Sequence, residues 1–404
     1  MKIKVGVLYG GKTTEHEVSI ITAVQAMGFL NKEKYDVIPM YLDKENEMYT
    51  GAALTDMDVY KDMDLLKRYC KNVVCYNKNG VLTLQNKKGF FKKTVKEVDI
   101  VIPCTHGYNM EDGNIQGLLE TYGIPYTGSD IYGCTVGQDK VFQKQILEAE
   151  KIPVTKYTWF YDNEYLENQT EILKNIKKVG YPVIVKPARQ GSSIGISVAK
   201  SEDDIKEAIE EAIKYDEKIL VEQVIGNMTE LNCSVLGSSS YSEASVIEQV
   251  MGKDEILSFN DKYIGNGAKK GSKTKMAGSK GMVTADRIIP ADIPEKLSNE
   301  IKETSKKAFR VLGANGVVRI DYLYDKKSKK YYLNELNTIP GSLAFYLWTP
   351  LNKEYDELLD DMINIAVKRY KKKLKKTTIF KSNILEGFNG SKGVKGMKGK
   401  LRHR

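Results

Sequence analysis

Four polar side chains late in the sequence carry the strongest chemical signal. Arg319 and Asp321 are spaced i, i+2 in VVRIDYLY, and Glu335 and Asn337 repeat that spacing in YYLNELN. On a β-strand such pairs point from one face. Two carboxylates and an amide oxygen form a hard-oxygen set suited to Mg2+ bridging nucleotide phosphates. An arginine beside them can stabilise a developing oxyanion. A structural ion pair across strands would account for the charges, but it has no need of three oxygen ligands, so the metal reading is preferred.

Three further clusters point the same way. The apolar run VIVKP ends on Lys186, and a lysine buried beside such a strand is costly unless it meets an anion. It leads into Arg189-Gln190-Gly191-Ser192-Ser193-Ile194-Gly195, whose N–H groups and hydroxyls can cradle phosphate oxygens. A polar hairpin turn is the bland alternative, and lysine plus loop together favour phosphate. Near the start, Glu15-His16-Glu17 follow a Gly-Gly turn. Helix capping explains one acid there. It does not explain acid, histidine and acid at the carboxyl end of a first strand, where open α/β sheets bind ligands. A carboxylate in that place can hold a substrate ammonium group. Thr105-His106-Gly107 and Glu111-Asp112-Gly113 aim at the same edge, with a hydrogen-bonded loop histidine as the equal alternative. Three histidines in the whole chain rule out a multi-histidine metal site. Gly6 to Thr13 also matches the phosphate-binding pattern GxxxxGK[ST]. Gly6–Leu8 are needed as strand, however, which leaves only Gly10 and Gly11 for a loop, so a tight turn is preferred.

These residues must be held by elements that the pattern of apolar residues suggests. IKVGVL, VIPMYL and DIVIPC read as strands, with a helix after the first and another over 115–122. Strand–helix alternation predicts a parallel α/β sheet over about the first 125 residues. Beyond GIPYTGSD come a helix at 139–149, strands VTKYTWF and VIVKP, and a helix over 201–214 capped by Ser201 and Asp203. ILVEQV, NCSVLG and SVIEQV read as antiparallel strands, VVRIDYLY and YYLNELN as a pair joined by DKKSKK, and 354–373 as a last helix. The Gly-, Ser- and Lys-rich stretch 258–286 is too long for an ordinary connection and is expected to be a lid.

Bulk properties bound the answer. The 404 residues imply two or three domains. No apolar run is long enough to span a membrane, and the first residues read as a strand, not a signal peptide. Five scattered cysteines without a CxxC pair suggest free thiols in a reducing cytoplasm. From Lys368 onward there are 14 basic residues and one acid, whereas residues 1–367 hold 48 basic and 52 acidic side chains. The basic character thus belongs to an appendage, and a nucleic-acid-binding body is not expected. The tail is poor in apolar residues and is expected to be disordered.

The stretches GGKTTEHEVS, THGYNMEDGNIQGLLE, GIPYTGSD, QDK, KPARQGSSIG, DKY, RIDYL and NELNTIPG, in that order, resemble those of D-alanine–D-alanine ligases of the ATP-grasp superfamily. The resemblance implies a Rossmann-like N-terminal sheet domain followed by two α+β domains that clamp ATP. The expected boundaries are 1–128, 129–222 and 223–374, with 375–404 as the basic tail. It also implies roles. Glu15 would hold the first amino acid's amine with His106 close by, and Ser192 would orient that substrate. Lys140, Lys186, Ser193 and Lys262 would contact ATP phosphates, and Glu222 and Glu230 the adenosine. Tyr263 would close with the lid, and Arg319 would stabilise the tetrahedral intermediate. Asp321, Glu335 and Asn337 would bind two Mg2+ ions, with Mn2+ as an alternative. The activity implied is ATP-dependent formation of a D-alanyl dipeptide through an acyl phosphate, for peptidoglycan precursors, in the cytoplasm and by a homodimer. The segment after Gly341 departs from the family's usual Ser- or Thr-bearing stretch. Ser342 is the candidate there for the second substrate's carboxylate. A different second substrate on the same chemistry is one alternative, and a P-loop-type nucleotide-binding protein is another.

Overall fold

A computed structural model describes residues 2–89, 92–251 and 286–378. The lid stretch, with Lys262 and Tyr263, and most of the basic tail lie outside the described residues.

The first sheet has seven strands, in the order Thr94–Val98, Val81–Asn86, Lys71–Lys78, Met48–Thr50, Tyr35–Leu42, Ile3–Gly10 and Ile100–Pro103. The central strand Ile3–Gly10 pairs in parallel with Tyr35–Leu42 and with Ile100–Pro103. All three are nearly continuous in apolar residues, as parallel strands covered on both faces must be. The sheet is nevertheless mixed, not parallel as the alternation of elements suggests, because the four outer strands pair antiparallel. The physical reason lies in Asn79-Gly80, both at positive φ (53° and 83°). Such a pair favours the tight hairpin turn that joins neighbouring antiparallel strands.

The second sheet has four antiparallel strands, ordered Ser197–Ala199, Val183–Pro187, Lys218–Gln223 and Tyr157–Tyr161. The helices Gln169–Val179 and Ile205–Ile213 pack on it through Ile172, Ile176, Ile205 and Ile209. The second of these begins at Ile205 rather than Ser201. The Asp204 carboxylate accepts from the N–H groups of Lys200 and Ser201 (2.9 and 3.0 Å), which holds the preceding residues in a turn. The third sheet has five antiparallel strands, ordered Asp286–Ile288, Tyr241–Met251, Met228–Ser238, Gly316–Asp325 and Lys330–Asn337. The helix Glu295–Val311 buries Leu297, Ile301, Ala308 and Phe309 against it, one side of a 3.6-residue period.

Helix Lys140–Ala149 ties the second and third sheets together. Asp139 caps it, accepting from the N–H groups of Val141 and Phe142. Gln143 exchanges hydrogen bonds with the backbone of Leu336. The last helix, Tyr355–Leu374, crosses back to the first sheet. Its Leu358, Leu359, Met362 and Ile363 share one core with Val5, Val7, Ile100 and Ile102.

Candidate functional site

Two adjoining cavities, of about 180 and 90 Å³, open between the three sheets and share Ser192, Glu230 and Glu335 in their walls. Every described residue to which the family resemblance gives a role, except Asp321 and Ser342, lines one or both.

The larger cavity is lined by charges of both signs, Lys140, Lys186 and Lys326 against Glu222, Glu230 and Glu335. Lys186, at the end of strand Val183–Pro187, points across to Glu222 of the neighbouring strand, 2.7 Å away. Lys144 reaches the other oxygen of Glu222 at 2.6 Å, and the Thr155 hydroxyl donates to that same oxygen. Lys144 and Glu222 are almost fully buried. Burial alone would raise the Glu222 carboxyl, but the two ammonium groups outweigh it and hold the group far below the usual carboxylate range. Burial pulls Lys144 below its ordinary value despite Glu222. Sequence reasoning missed Lys144. The signal was its spacing, one helical turn after Lys140 on the same face. Lys140 itself donates to the Gln190 carbonyl and lies 3.3 Å from Glu335.

The loop Arg189–Gly195 forms the lip between the cavities. Arg189 anchors it through Asp216 and Glu217. Ser192 and Ser193 both adopt positive φ (51° and 61°), a turn that gathers N–H groups toward one side. Ser192 donates to the Glu15 carboxylate. A Cβ on Gly191 would sit 2.6 Å from Glu15 Oε2, so any side chain there would push the Glu15 carboxylate aside.

The smaller cavity is acid-lined. Glu15 projects into it from the N-terminus of helix His16–Phe29. Its neighbours in sequence do not join it. His16 turns into the core, with Nδ1 on the Gly11 carbonyl (2.7 Å) and Nε2 on the Tyr41 hydroxyl (3.0 Å). The carbonyl can only accept, so Nδ1 carries the proton and Nε2 accepts from tyrosine. Glu17 is solvent-exposed and pairs with Lys44. The first loop is also no phosphate cradle. Gly6 packs inside the sheet, and the N–H groups of Gly10, Gly11 and Lys12 are taken by Ser19, Leu42 and Asn46.

His106 lies buried in the wall, its Nε2 3.0 Å from the Thr22 hydroxyl. Burial first, and the charge of Arg319 second, lower its pKa to about 4, so it is neutral at pH 7. Glu111 accepts from the Gly107 N–H, and burial together with the nearby Glu15 charge drives its carboxyl well above the usual range. Ser342 lines neither cavity. It sits in a buried turn with Leu343 and Ala344, all three at positive φ, and its N–H donates to Thr22.

Arg319 and Asp321 meet Glu335 and Asn337 as the spacing suggests. Arg319 lies opposite Asn337, and Asp321 opposite Glu335, on paired strands. Arg319 grips both oxygens of Asp321 at 2.7 Å, and Asn337 donates to one of them at 3.0 Å. Among the described residues no three His, Cys, Asp or Glu side chains gather into a complete metal cage. The two carboxylates and one amide nevertheless suit Mg2+, which takes few protein oxygens and completes its shell with phosphate and water.

Residues 4–129 match the family model D-ala D-ala ligase N-terminus, and residues 146–364 match D-ala D-ala ligase C-terminus. The D-alanine–D-alanine ligase of Thermosipho melanesiensis is 38% identical over 386 residues, 95% of this chain and 98% of that protein. The solved D-alanine–D-alanine ligase of Coxiella burnetii shares the fold, with a TM-score of 0.75 at 24% identity over 93% of this chain and 96% of its own. The VanG D-Ala:D-Ser ligase of Enterococcus faecalis is similar with a TM-score of 0.73 at 26% identity, over 91% of this chain and all of its own.

Proposed function

Because the chain belongs to the family of D-alanine–D-alanine ligases, we propose that its two cavities carry out the two halves of an ATP-dependent condensation of D-alanine with a second D-alanine. The observation that carries this reading is the contact of Ser192 with Glu15, which brings the glycine-serine loop of the larger cavity against the acid at the mouth of the other.

A free carboxylate is a poor electrophile. In this reading Glu15 takes the ammonium of the first D-alanine, and Ser192 keeps Glu15 in place. The substrate carboxylate then faces the γ-phosphate of ATP, whose oxygens lie toward Lys140, Lys186 and Ser193. Glu222 and Glu230 face the adenosine. Attack of the carboxylate oxygen on the γ-phosphorus forms an acyl phosphate and releases ADP. The neutral amine of the second D-alanine adds to the acyl carbon, Arg319 stabilises the resulting oxyanion, and phosphate leaves with its bonding pair and takes up the proton that the amine nitrogen gives up. Asp321, Glu335 and Asn337 would hold two Mg2+ ions, which when bound offset negative charge on the phosphate oxygens. An acyl phosphate hydrolyses in water, so the residues 258–286, including Lys262 and Tyr263, are assigned to closing the site.

The three units 1–128, 129–222 and 223–374 are taken as the clamp, working as a cytoplasmic homodimer that supplies peptidoglycan precursors. No helix among the described residues is long and apolar enough to cross a membrane. The test is phosphate release from ATP and Mg2+ with D-alanine against L-alanine, D-serine and D-lactate, with the product read by mass. D-alanine-dependent release with a D-alanyl-D-alanine product is expected. Release only with another pair moves the specificity, and no release with any pair overturns the reading.

A further inference from the structure

The dipeptide keeps one carboxylate, that of the second amino acid, so the site must hold this group without activating it. The argument rests on the function proposed above. The smaller cavity is a poor place for an extra anion, since Glu15, Glu111, Glu230 and Glu335 already line it. A carboxylate enters such a space only against a cation. Among the described residues two guanidinium groups line it, Arg319 and Arg287. Arg319 already grips both oxygens of Asp321.

Arg287 is differently placed. It sits on the short edge strand Asp286–Ile288, opposite Val250 of strand Tyr241–Met251. Its Nη1 donates to Glu248 Oε2 at 3.1 Å. Its Nε is buried with no hydrogen-bond partner among the described residues, and a buried donor left so is rare enough to need a reason. The ring of Tyr346 lies 5.3 Å from Cζ. Glu248 is fixed in turn. It is 1% exposed, and accepts from Asn232 Nδ2 at 2.8 Å and from the Tyr346 hydroxyl at 3.5 Å. The guanidinium plane is therefore held on two sides, with donors still unused. Its planar fork suits a carboxylate.

We propose that Arg287 receives the carboxylate of the second amino acid, and that Glu248 and Tyr346 are the positioning residues that hold its plane. The acceptor is then any small amino acid of suitable shape with a free carboxylate. Acceptors that lack the charge are rejected.

The test gives the enzyme ATP, Mg2+ and D-alanine with D-alaninamide as competing acceptor, and measures the ratio of dipeptide to dipeptide amide by mass. Arg287→Gln is expected to lower that ratio roughly ten- to a hundredfold. The KM of the acceptor D-alanine should rise by a similar factor, with the donor-site and ATP KM values within about twofold. Glu248→Gln should raise the acceptor KM with kcat unmoved. If Arg287→Gln loses its cooperative thermal transition, Arg287→Lys carries the test, with a smaller fall in the ratio expected. Equal losses for both acceptors, with an unchanged ratio, overturn the assignment and make Arg287 a structural partner of Glu248. A wild type that forms dipeptide while the ratio stays fixed in the variants removes only this inference. A wild type without D-alanine-dependent turnover removes the proposed function with it.

Discussion

The two cavities share walls but obey opposite electrostatic rules. At the wall of the larger one, Lys186 and Glu222, with Lys144 buried behind them, form a closed set in which each buried charge meets another within 2.7 Å. In the smaller one, like charges crowd together. Glu111 is driven toward its protonated form by burial and by Glu15, and His106 toward its neutral form by burial and by Arg319. The first arrangement has its charges paired without a ligand, which suits the nucleotide that the proposed function places there. In the proposed function the second receives a small zwitterion, whose ammonium and carboxylate would add charges of both signs among those already there. Preorganisation and frustration thus sit side by side, and they predict different responses to mutation and pH.

The largest expected effect lies on the closed side. Lys144→Met leaves Glu222 buried with one partner fewer, and should cost about 3–5 kcal/mol of unfolding free energy in urea. A loss below about 1 kcal/mol would show that the set is not closed. On the frustrated side, His106 takes its proton near pH 4 when folded, against 6.5 when unfolded. Between those values the unfolded chain holds the extra proton, so the penalty is nil above about 6.5 and grows as pH falls. It should reach about 3 kcal/mol near pH 4. Glu111 acts with the opposite sign, because its folded form keeps a proton that the unfolded form gives up. The slope that disappears in His106→Gln isolates the histidine, and an unchanged slope would remove it from the frustrated set.

Smaller is the effect at the shared wall. Glu335→Gln should lower kcat roughly a hundredfold with little change in thermal midpoint. A matching drop in stability instead would assign Glu335 to the closed set through Lys140. The smallest is Lys12→Ala, expected to change turnover and stability within about 0.5 kcal/mol. Loss of nucleotide turnover there would revive the P-loop reading and undo the assignment of phosphates to the larger cavity.

What the sequence reveals depends on distance along the chain. The pairing of Arg319 and Asp321 with Glu335 and Asn337 follows from period-two spacing across one short turn, and the paired strands carry it. The helix after Asp139 follows from a local cap. His16 was indistinguishable from Glu15 by composition, and only tertiary packing turned it toward Tyr41. The antiparallel half of the first sheet was legible in Asn79-Gly80, but the strand–helix alternation around it gave the stronger pattern. Arg287 and Glu248 stand 39 residues apart. Only strand register joins them, and no local pattern carries that information.

The last helix completes the core on one side of the first sheet, where Leu358, Leu359, Met362 and Ile363 belong to the same buried cluster as Val5, Val7, Ile100 and Ile102. During synthesis the ribosome finishes that sheet long before it makes the helix. At roughly 5–20 residues per second, the nascent first sheet must wait on the order of ten to fifty seconds with only helix His16–Phe29 and its near neighbours in that cluster. The core of the protein's first third is therefore finished only by residues made last, and synthesis order sets the earliest moment at which that core can close.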